Sequence, residues 1–264
     1  MKYRISFIGS GNLAWHLAPA LDNAGFVVGE IYSRDRKESK ALVERLYQGE
    51  IKKNLDFSAS GSDVFFIAVN DDAIEEIAQE IILPTEDSIL VHTSGSRSMG
   101  ILSYAAVENI GIFYPLQTFS KERKVLFDKI PICVEASTAW AEGILQEIGS
   151  GISQKVVTID SDQRRALHVA AVFANNFVNH CLRVAGDIMK SEKLDHELIH
   201  PLVVETIRKA FEIGPANAQT GPAKRHDFET LDEHLDYLAE NDELAEVYRI
   251  FSQYIVDCYP LDDQ

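Results

Sequence analysis

The amino-acid sequence predicts an α/β protein in which a doubly wound parallel sheet is followed by an all-helical C-terminal domain. Strand and helix patterns alternate along residues 1–158, as expected when helices cover both faces of a parallel sheet. A glycine turn directly follows the first apolar strand, and no strand pattern follows Asp160. We therefore predict one domain over residues 1–158 and a second, helical domain over residues 159–264.

The predicted strands are short, mostly apolar runs, and one of them is apolar throughout. Val64-Phe65-Phe66-Ile67-Ala68-Val69 has the composition of a strand that is buried on both faces. Strands are predicted over residues 3–8, 26–32, 64–69, 88–92, 110–114, 130–135 and 155–159. Helices are predicted over residues 13–24, 38–46, 73–82, 139–148, 161–190, 195–211, 228–240 and 242–259. Ser161 is predicted to be the N-cap of the longest helix.

Composition limits the classes of protein to which this chain can belong. The 264 residues are 46% hydrophobic, which is enough for a substantial core in one large or two modest domains. The net charge is −16, and residues 227–264 contain 12 acidic residues and one arginine, so nucleic acid is not an expected partner. We find neither a membrane-spanning apolar stretch nor a secretion signal, and we expect a cytoplasmic protein that does not bind membranes. The three separated cysteines predict reduced thiols, and no metal site is predicted.

The glycine turn has the spacing of a dinucleotide-binding, or Rossmann, unit. Gly9 would allow a tight turn, Gly11 would let the backbone approach a pyrophosphate, and Ala14 would let the helix pack close to the strand. The free N–H groups at the start of the helix would face the phosphates. The residues predicted to bind the cofactor here are Gly9, Ser10, Gly11, Asn12 and Leu13.

The end of the second strand indicates which dinucleotide is bound. NAD-binding sites place Asp or Glu at this position to hold the ribose hydroxyls, whereas this chain has Ser33 and Arg34. The guanidinium groups of Arg34 and Arg36 and the hydroxyl of Ser33 suit a 2′-phosphate, so NADP is predicted over NAD. Asp35 keeps NAD as the alternative cofactor.

Three further segments end strands at the same edge of the predicted sheet, where ligands bind in such folds. Val69 and Asn70 would line the nicotinamide and its ribose. Ser94, in the turn 92–96, and Tyr114, in the loop 114–119, are candidate catalytic residues that would contact a substrate. The alternative for both loops is ordinary turn chemistry.

The long helix has a polar stripe that suggests a catalytic role. His168, Asn175 and Asn179 have the spacing i, i+7, i+11, which places them on one face of an α-helix. Because histidine titrates near neutral pH, His168 is a candidate proton donor, with Asn175 orienting the substrate. The alternative is a structural histidine. Apolar residues on the same helix predict a homodimer formed through the helical domain; they include Val169, Val172, Phe173, Phe177, Leu182 and Val184.

These motifs together resemble a bacterial family that joins a Rossmann-like NADP-binding domain to a helical domain of the 6-phosphogluconate dehydrogenase type. The resemblance runs over nearly the whole chain and rests on residues 9–14, Ser33-Arg34, residues 92–95, residues 114–119, the stripe from His168 and the turn 220–222. More distantly the chain is similar to pyrroline-5-carboxylate reductase and to the deazaflavin-dependent NADP reductase. The resemblance implies a hydride-transfer enzyme with its site between the two domains, and a dimer.

We therefore predict an NADP-dependent oxidoreductase that acts on a C=O or C=N bond of a small metabolite. An imine reductase of the pyrroline-5-carboxylate type is the alternative enzyme. An NADP-binding sensor or scaffold without catalytic activity is the alternative from another class. Convergence of His168 with the loop 114–119 beside the nicotinamide site would favour an enzyme.

Overall fold

One eight-stranded sheet forms the centre of the N-terminal part of the chain, in a computed structural model that describes residues 3–261. The strands are β1 (Arg4–Ile8), β2 (Val27–Tyr32), β3 (Glu50–Lys52), β4 (Val64–Ile67), β5 (Ile89–His92), β6 (Ile110–Pro115), β7 (Ile132–Ala136) and β8 (Val156–Thr158). Their order is β3-β2-β1-β4-β5-β6-β7-β8, and every neighbouring pair is parallel except β6 and β7. The predicted doubly wound α/β fold is confirmed, with one antiparallel pair that the sequence did not indicate.

The helices divide between those that cover the sheet and those that follow it. The first group is α1 (Asn12–Asn23), α2 (Arg36–Val43), α3 (Ile74–Glu80) and α4 (Ala139–Ser150). The second group is α5 (Ser161–Ala171), α6 (Val178–Ser191), α7 (His200–Ile213), α8 (Pro215–Ala218), α9 (Phe228–Tyr237) and α10 (Asp242–Cys258). None of the helices within residues 3–261 is long and apolar enough to cross a membrane.

Two apolar clusters, one on each face of the sheet, explain why the central strands are apolar throughout. Adjacent side chains of a strand point to opposite faces. Phe66 stacks on Phe7 with ring centroids 5.2 Å apart on one face, while its neighbour Phe65 meets Phe57 edge to face at 5.3 Å on the other. All four residues of β4 are buried, so the strand has no face on which a polar side chain would be solvated.

Strand β3 was not predicted because its sequence carries no apolar signal. It has only three residues, Glu50, Ile51 and Lys52, of which the first two are exposed. It pairs in parallel with β2 through main-chain hydrogen bonds. An edge strand of this kind depends on its neighbour, and periodicity in its own sequence does not reveal it.

The start of α5 corrects the predicted N-cap. Asp160 is the N-cap: its carboxylate accepts a hydrogen bond from the Gln163 backbone N–H at 2.8 Å, and the Gln163 side chain accepts one from the Asp160 N–H at 3.1 Å. This reciprocal pair is a capping box. The Ser161 hydroxyl instead donates to Glu135 Oε1 at 2.6 Å. Ser161 therefore joins the helix to the end of β7.

The long predicted helix is continuous from Ser161 to Ser191, but residues Val172–Phe177 form a π-helical segment. A π segment bonds i to i+5 and has more residues per turn than an α-helix. The predicted alignment of His168 with Asn175 and Asn179 assumed regular α-helical spacing. That assumption is wrong, because the π segment lies between the first residue of the stripe and the last.

The chain divides into two compact units, Met1–Cys181 and Leu182–Gln264. The sheet ends at Thr158, near the predicted boundary, but the first compact unit continues through α5 and into α6. The helix α5 makes buried polar contacts with the sheet, described below. The predicted domains 1–158 and 159–264, of which residues 1–2 and 262–264 lie outside the described range, remain a prediction. In unit 2, Tyr259 donates its hydroxyl hydrogen to the Ala216 carbonyl at 3.0 Å and so links α8 to the end of α10.

The environment of His92, at the end of β5, predicts a pH dependence of stability. Its side chain is fully buried, its Nδ1 accepts from the Ser94 N–H at 3.1 Å, and its Nε2 lies 3.3 Å from the Ser98 carbonyl oxygen. Burial is the main reason that the pKa of His92 falls from 6.5 to about 4. In the window between these values the unfolded chain binds a proton that the folded chain does not, so this stabilisation is present above pH 6.5 and is lost as pH falls.

We predict that the unfolding free energy falls more steeply between pH 7 and pH 5 in the unmodified protein than in His92→Asn, by about 2 kcal/mol. Urea unfolding at both pH values measures the difference, and His180→Asn, at an exposed histidine, is the matched control. Equal losses in the unmodified protein and His92→Asn would show that His92 is not held neutral by the fold.

Candidate active site

A cleft of about 570 Å³ lies at the carboxyl ends of β1 and β4. Strand order changes direction between these two strands, and such a switch point is where open α/β sheets bind ligands. The structure brings all nine predicted cofactor-binding residues to this cleft: Gly9, Ser10, Gly11, Asn12, Leu13, Ser33, Arg34, Val69 and Asn70. Ser94 lines the same cleft, whereas Tyr114, His168 and Asn175 are not part of its lining.

The two glycines of the turn differ in what surrounds them. Gly9 has φ +113°, and a Cβ there would lie 2.2 Å from the Ala68 carbonyl oxygen, so only glycine fits. A Cβ on Gly11 would meet no heavy atom within 4 Å. Gly11 is also the N-cap of α1 and provides no side-chain cap for the N–H groups of the first turn. Gly9 therefore closes the turn, and Gly11 leaves an open, uncapped helix start facing an anion-sized space.

Asp35, the acidic residue that kept NAD as the alternative cofactor, has a structural role. The Asp35 carboxylate caps α2 by accepting from the Lys37 backbone N–H at 2.8 Å. Arg34 is exposed at the cleft and forms none of the ion pairs found among residues 3–261. Its guanidinium is therefore available to a phosphate, while Asp35 is engaged with its own helix.

Charge in the cleft is unevenly distributed. Alongside Arg34 the lining includes five carboxylates, those of Asp35, Glu38, Asp71, Glu76 and Glu80. Glu38 is neutralised by an ion pair with Lys121. In so acidic a lining the phosphates of a dinucleotide must depend on Arg34 and on the start of α1 for favourable electrostatics.

Ser94 holds together the turn that follows β5. Its hydroxyl donates to Asp71 Oδ2 at 2.8 Å and accepts from the backbone N–H groups of Ser96 at 3.1 Å and Arg97 at 3.0 Å. The Ser96 hydroxyl donates to the same Asp71 oxygen at 2.7 Å. The hydroxyl hydrogen of Ser94 is thus already used, and these contacts favour a role in shaping the site over a chemical one.

Tyr114 and His168 meet although they are 54 positions apart in sequence. The Tyr114 hydroxyl oxygen lies 3.2 Å from His168 Nδ1, and the two rings are edge to face with centroids 6.1 Å apart. Both side chains are half-buried. Burial is the main reason that the pKa of Tyr114 is raised above 10, so the phenol stays protonated near neutral pH. The pair is a hydrogen-bonded acid–base couple at the end of β6.

Gly95 makes room for this pair. A Cβ built on Gly95 would lie 2.5 Å from His168 Nδ1 and 2.8 Å from Tyr114 Cζ. Any larger residue would displace one of the two rings. The sequence predicts a turn between Ser94 and Ser96, but its pattern does not distinguish Gly95 from an ordinary turn glycine.

Arg164 is the second site residue that the sequence pattern did not predict. It is only 1% exposed, and its Nη1 donates to the carbonyl oxygens of Gly95 at 3.0 Å and Ser94 at 3.3 Å. Its Nε lies 3.3 Å from Glu135 Oε2, in an ion pair. Arg164 stands among Asp162, Gln163 and Arg165, all polar, so the sequence resembled a solvated first turn. The one available signal was its i, i+4 relation to His168, which places both on the same helix face.

The structure does not bring Asn175 to the Tyr114–His168 pair. Asn175 lies in the π segment, its side chain is exposed, and its amide donates to Asn176 Oδ1 at 3.4 Å. The predicted polar stripe therefore contributes only His168 to the cluster around Tyr114. Within residues 3–261, no group of three or more His, Cys, Asp or Glu side chains could hold a metal ion.

Two family models match different parts of the chain. Residues 4–95 match the model described as NADP oxidoreductase coenzyme F420-dependent. Residues 130–255 match the model described as a domain of unknown function, DUF2520. The first match contains β1 to β5 and the cleft, and the second contains Glu135, Arg164 and His168. No curated protein sequence matches the chain.

Solved structures match nearly the whole chain. A "putative NADP oxidoreductase" from Bacteroides fragilis is 36% identical, with 97% of this chain and 98% of that chain covered and a TM-score of 0.88. A protein from Thermotoga maritima is 25% identical, with 97% and 98% covered and a TM-score of 0.71. Pyrroline-5-carboxylate reductase from Coxiella burnetii is 16% identical, with 97% of each chain covered and a TM-score of 0.59, and so shares the fold. The chain belongs to the same family as the Bacteroides fragilis protein, a family of NADP-dependent oxidoreductases.

Proposed function

We propose that this protein transfers a hydride between NADP and a C=O or C=N carbon of a small metabolite, and that the Tyr114–His168 pair exchanges the accompanying proton. The observation that carries the proposal is the 3.2 Å contact between the Tyr114 hydroxyl and His168 Nδ1. This contact lies against Gly95, the residue that follows the cleft-lining Ser94. Such a reaction requires a site for the nucleotide and, next to it, a group that can donate or accept a proton.

The cleft residues fit the parts of NADP. The open space at Gly11 and the uncapped start of α1 suit the pyrophosphate, with Ser10, Asn12 and Leu13 around it. Ser33 and Arg34 suit the 2′-phosphate. Val69 and Asn70, which follow β4, would border the nicotinamide and its ribose. When bound, the nicotinamide supplies or accepts the hydride.

The protein's own residues handle the proton. In the reducing direction, a carbonyl oxygen gains a proton as its carbon gains the hydride, whereas an imine nitrogen gains that proton first and its carbon then accepts the hydride. Tyr114 can donate that proton because burial raises the pKa of its phenol and keeps it protonated. His168 Nδ1 is within hydrogen-bond reach of the same hydroxyl and can return a proton to it. In the oxidising direction the two residues accept a proton by the reverse route.

Reduction of a protonated imine is favoured by one specific observation. The Asp71 carboxylate lines the cleft and is held in place by the Ser94 and Ser96 hydroxyls. A fixed negative charge in the cleft stabilises a cationic C=N group more than a neutral C=O group. An imine reductase of the pyrroline-5-carboxylate type is therefore the preferred variant of the proposed activity.

The assignment is tested by a screen in which NADPH oxidation is followed by absorbance over panels of imines, keto acids and aldehydes. Turnover of at least one panel supports the proposal, and faster turnover of imines supports the imine variant. Tight NADPH binding without oxidation of any panel would favour the alternative of a sensor or scaffold that binds NADP without catalysis.

We predict that Arg34→Ala weakens NADP binding about 10- to 100-fold, as expected for loss of a charge-assisted hydrogen bond, and leaves NAD binding unchanged. Calorimetric titration of both nucleotides measures the effect. Arg36→Ala is the matched control, because Arg36 is exposed in the same segment and does not line the cleft. Equal affinities for NADP and NAD in the unmodified protein would contradict the assignment of Arg34.

We predict that Tyr114→Phe and His168→Asn each lower kcat by about 10²- to 10⁴-fold, the usual loss when general acid catalysis is removed. NADP affinity should stay within about twofold, because neither residue lines the cleft. Kinetics on an active substrate are paired with melting temperatures. If both variants are stable and turn over normally, the pair is not catalytic; if stability and turnover fall together, its role is structural.

We propose in addition that two copies associate through the helices that follow the sheet. Large apolar side chains exposed there include Val169, Phe173, Phe177 and Leu182, and monomeric proteins rarely expose so many together. Light scattering at micromolar concentration should give twice the chain mass. Phe173→Asp should shift the population towards the monomer, whereas a monomeric mass for the unmodified protein would contradict the proposal.

A further inference from the structure

We propose that Arg164 is the positioning residue of this site: its buried guanidinium fastens the Ser94–Gly95 backbone to α5 and so holds His168 against the Tyr114 hydroxyl. The proposal rests on the function proposed above and assigns Arg164 no direct contact with substrate or cofactor. It predicts that the geometry of the pair depends on a residue outside the pair.

The guanidinium is held on several sides. Its Nη1 donates to two successive carbonyl oxygens, those of Ser94 and Gly95, and its Nη2 lies 3.4 Å from the Ser161 hydroxyl. The ion pair with Glu135 balances its charge, and Ser161 donates to the other oxygen of Glu135. Arg164 is thus linked to the turn after β5, to the end of β7 and to its own helix.

The same residue, Gly95, is held by Arg164 and touched by His168. Arg164 and His168 are one turn apart on α5, so both reach the turn after β5 from one helix face. The Gly95 carbonyl oxygen is 3.0 Å from Arg164 Nη1, and the space where a Gly95 Cβ would lie is 2.5 Å from His168 Nδ1. A shift of this turn would therefore move the rings of His168 and Tyr114 relative to each other.

Stability alone does not explain a buried arginine at this position. A buried ion pair contributes little net stability, because desolvation of both charges offsets their attraction, and apolar replacements of similar volume are often neutral. Apolar side chains could not donate to two main-chain carbonyls. Lysine could keep the charge opposite Glu135, but its single ammonium lacks the planar fork that reaches a carboxylate and two carbonyls at once. The contacts of Arg164 therefore serve to orient the turn after β5 more than to stabilise the fold.

The first test compares Arg164→Lys with Arg165→Lys, the neighbouring arginine, whose side chain is 66% exposed. On a substrate found by the screen, we expect Arg164→Lys to lower kcat about 10- to 100-fold, the effect of a displacement of about 1 Å, and to leave the KM for NADPH within about twofold. Arg165→Lys should match the unmodified protein. A folded Arg164→Lys protein with unchanged kcat would overturn the proposal.

A second variant, at Gly95, disturbs the packing of His168 and Tyr114 against the turn after β5. Gly95→Ala leaves every hydrogen-bonding group of Arg164 in place but adds a methyl group against His168 and Tyr114. Gly143→Ala is its matched control, because a Cβ there would meet no heavy atom within 4 Å. If Arg164→Lys does not fold, Glu135→Gln, which removes the charge opposite Arg164 and leaves the Tyr114–His168 pair unchanged in composition, is judged by the same kinetic criteria.

The closing experiment does not require turnover. Long-range ¹H–¹⁵N spectra of ¹⁵N-histidine-labelled protein report the protonation and hydrogen bonding of each ring nitrogen of His168, assigned by its loss in His168→Asn. We expect Tyr114→Phe, Arg164→Lys and Gly95→Ala to shift the Nδ1 signal, and both control variants to leave it unchanged. An Nδ1 signal that is unchanged in folded Arg164→Lys and Gly95→Ala would overturn the positioning role, whereas failure of every substrate in the screen would overturn only the proposed function.

Discussion

The parallel direction of β1, β2, β4, β5 and β6 is the constraint on which the proposed site depends. Parallel strands end at the same edge of a sheet, so the segments that follow these five strands come together although they are spread over more than 100 positions. The strand β6, which carries Tyr114, also forms the only antiparallel pair among the described strands, with β7. The cleft and the Tyr114–His168 pair both lie at this edge of the sheet.

Buried polar contacts connect the helix after the sheet to that edge. Burial of the Arg164 charge carries a desolvation penalty that the Glu135 carboxylate and the two carbonyl oxygens offset. The missing side chain of Gly95 then lets His168 approach Tyr114. A charged residue and a residue without a side chain together define one geometry, whereas an apolar contact surface would tolerate several.

The fold class and the cleft residues could be predicted from the sequence because both depend on local patterns, whereas the edge strand β3 and the antiparallel β6–β7 pair could not. The turn from Gly9 to Leu13 and the strand at β4 could be recognised from spacing and apolar runs alone. Arg164 and Gly95 could not, because their importance arises from contacts between segments about 70 positions apart. The alignment of Asn175 with His168 failed for a different reason: a π segment has no periodic signature that a helical pattern would reveal.

The negative charge of the cleft restricts how NADP, its proposed occupant, can bind. Five carboxylates line it, so a dinucleotide is acceptable only if Arg34 and the start of α1 receive its phosphates. A crystal structure with NADP⁺ bound tests this central claim most directly. The account predicts that nicotinamide C4 lies about 6 Å from the Tyr114 hydroxyl oxygen, which leaves room for one substrate carbon and its heteroatom between them. A nicotinamide ring that points away from Tyr114, with C4 more than about 10 Å from that oxygen and no room for a shared substrate, would contradict it.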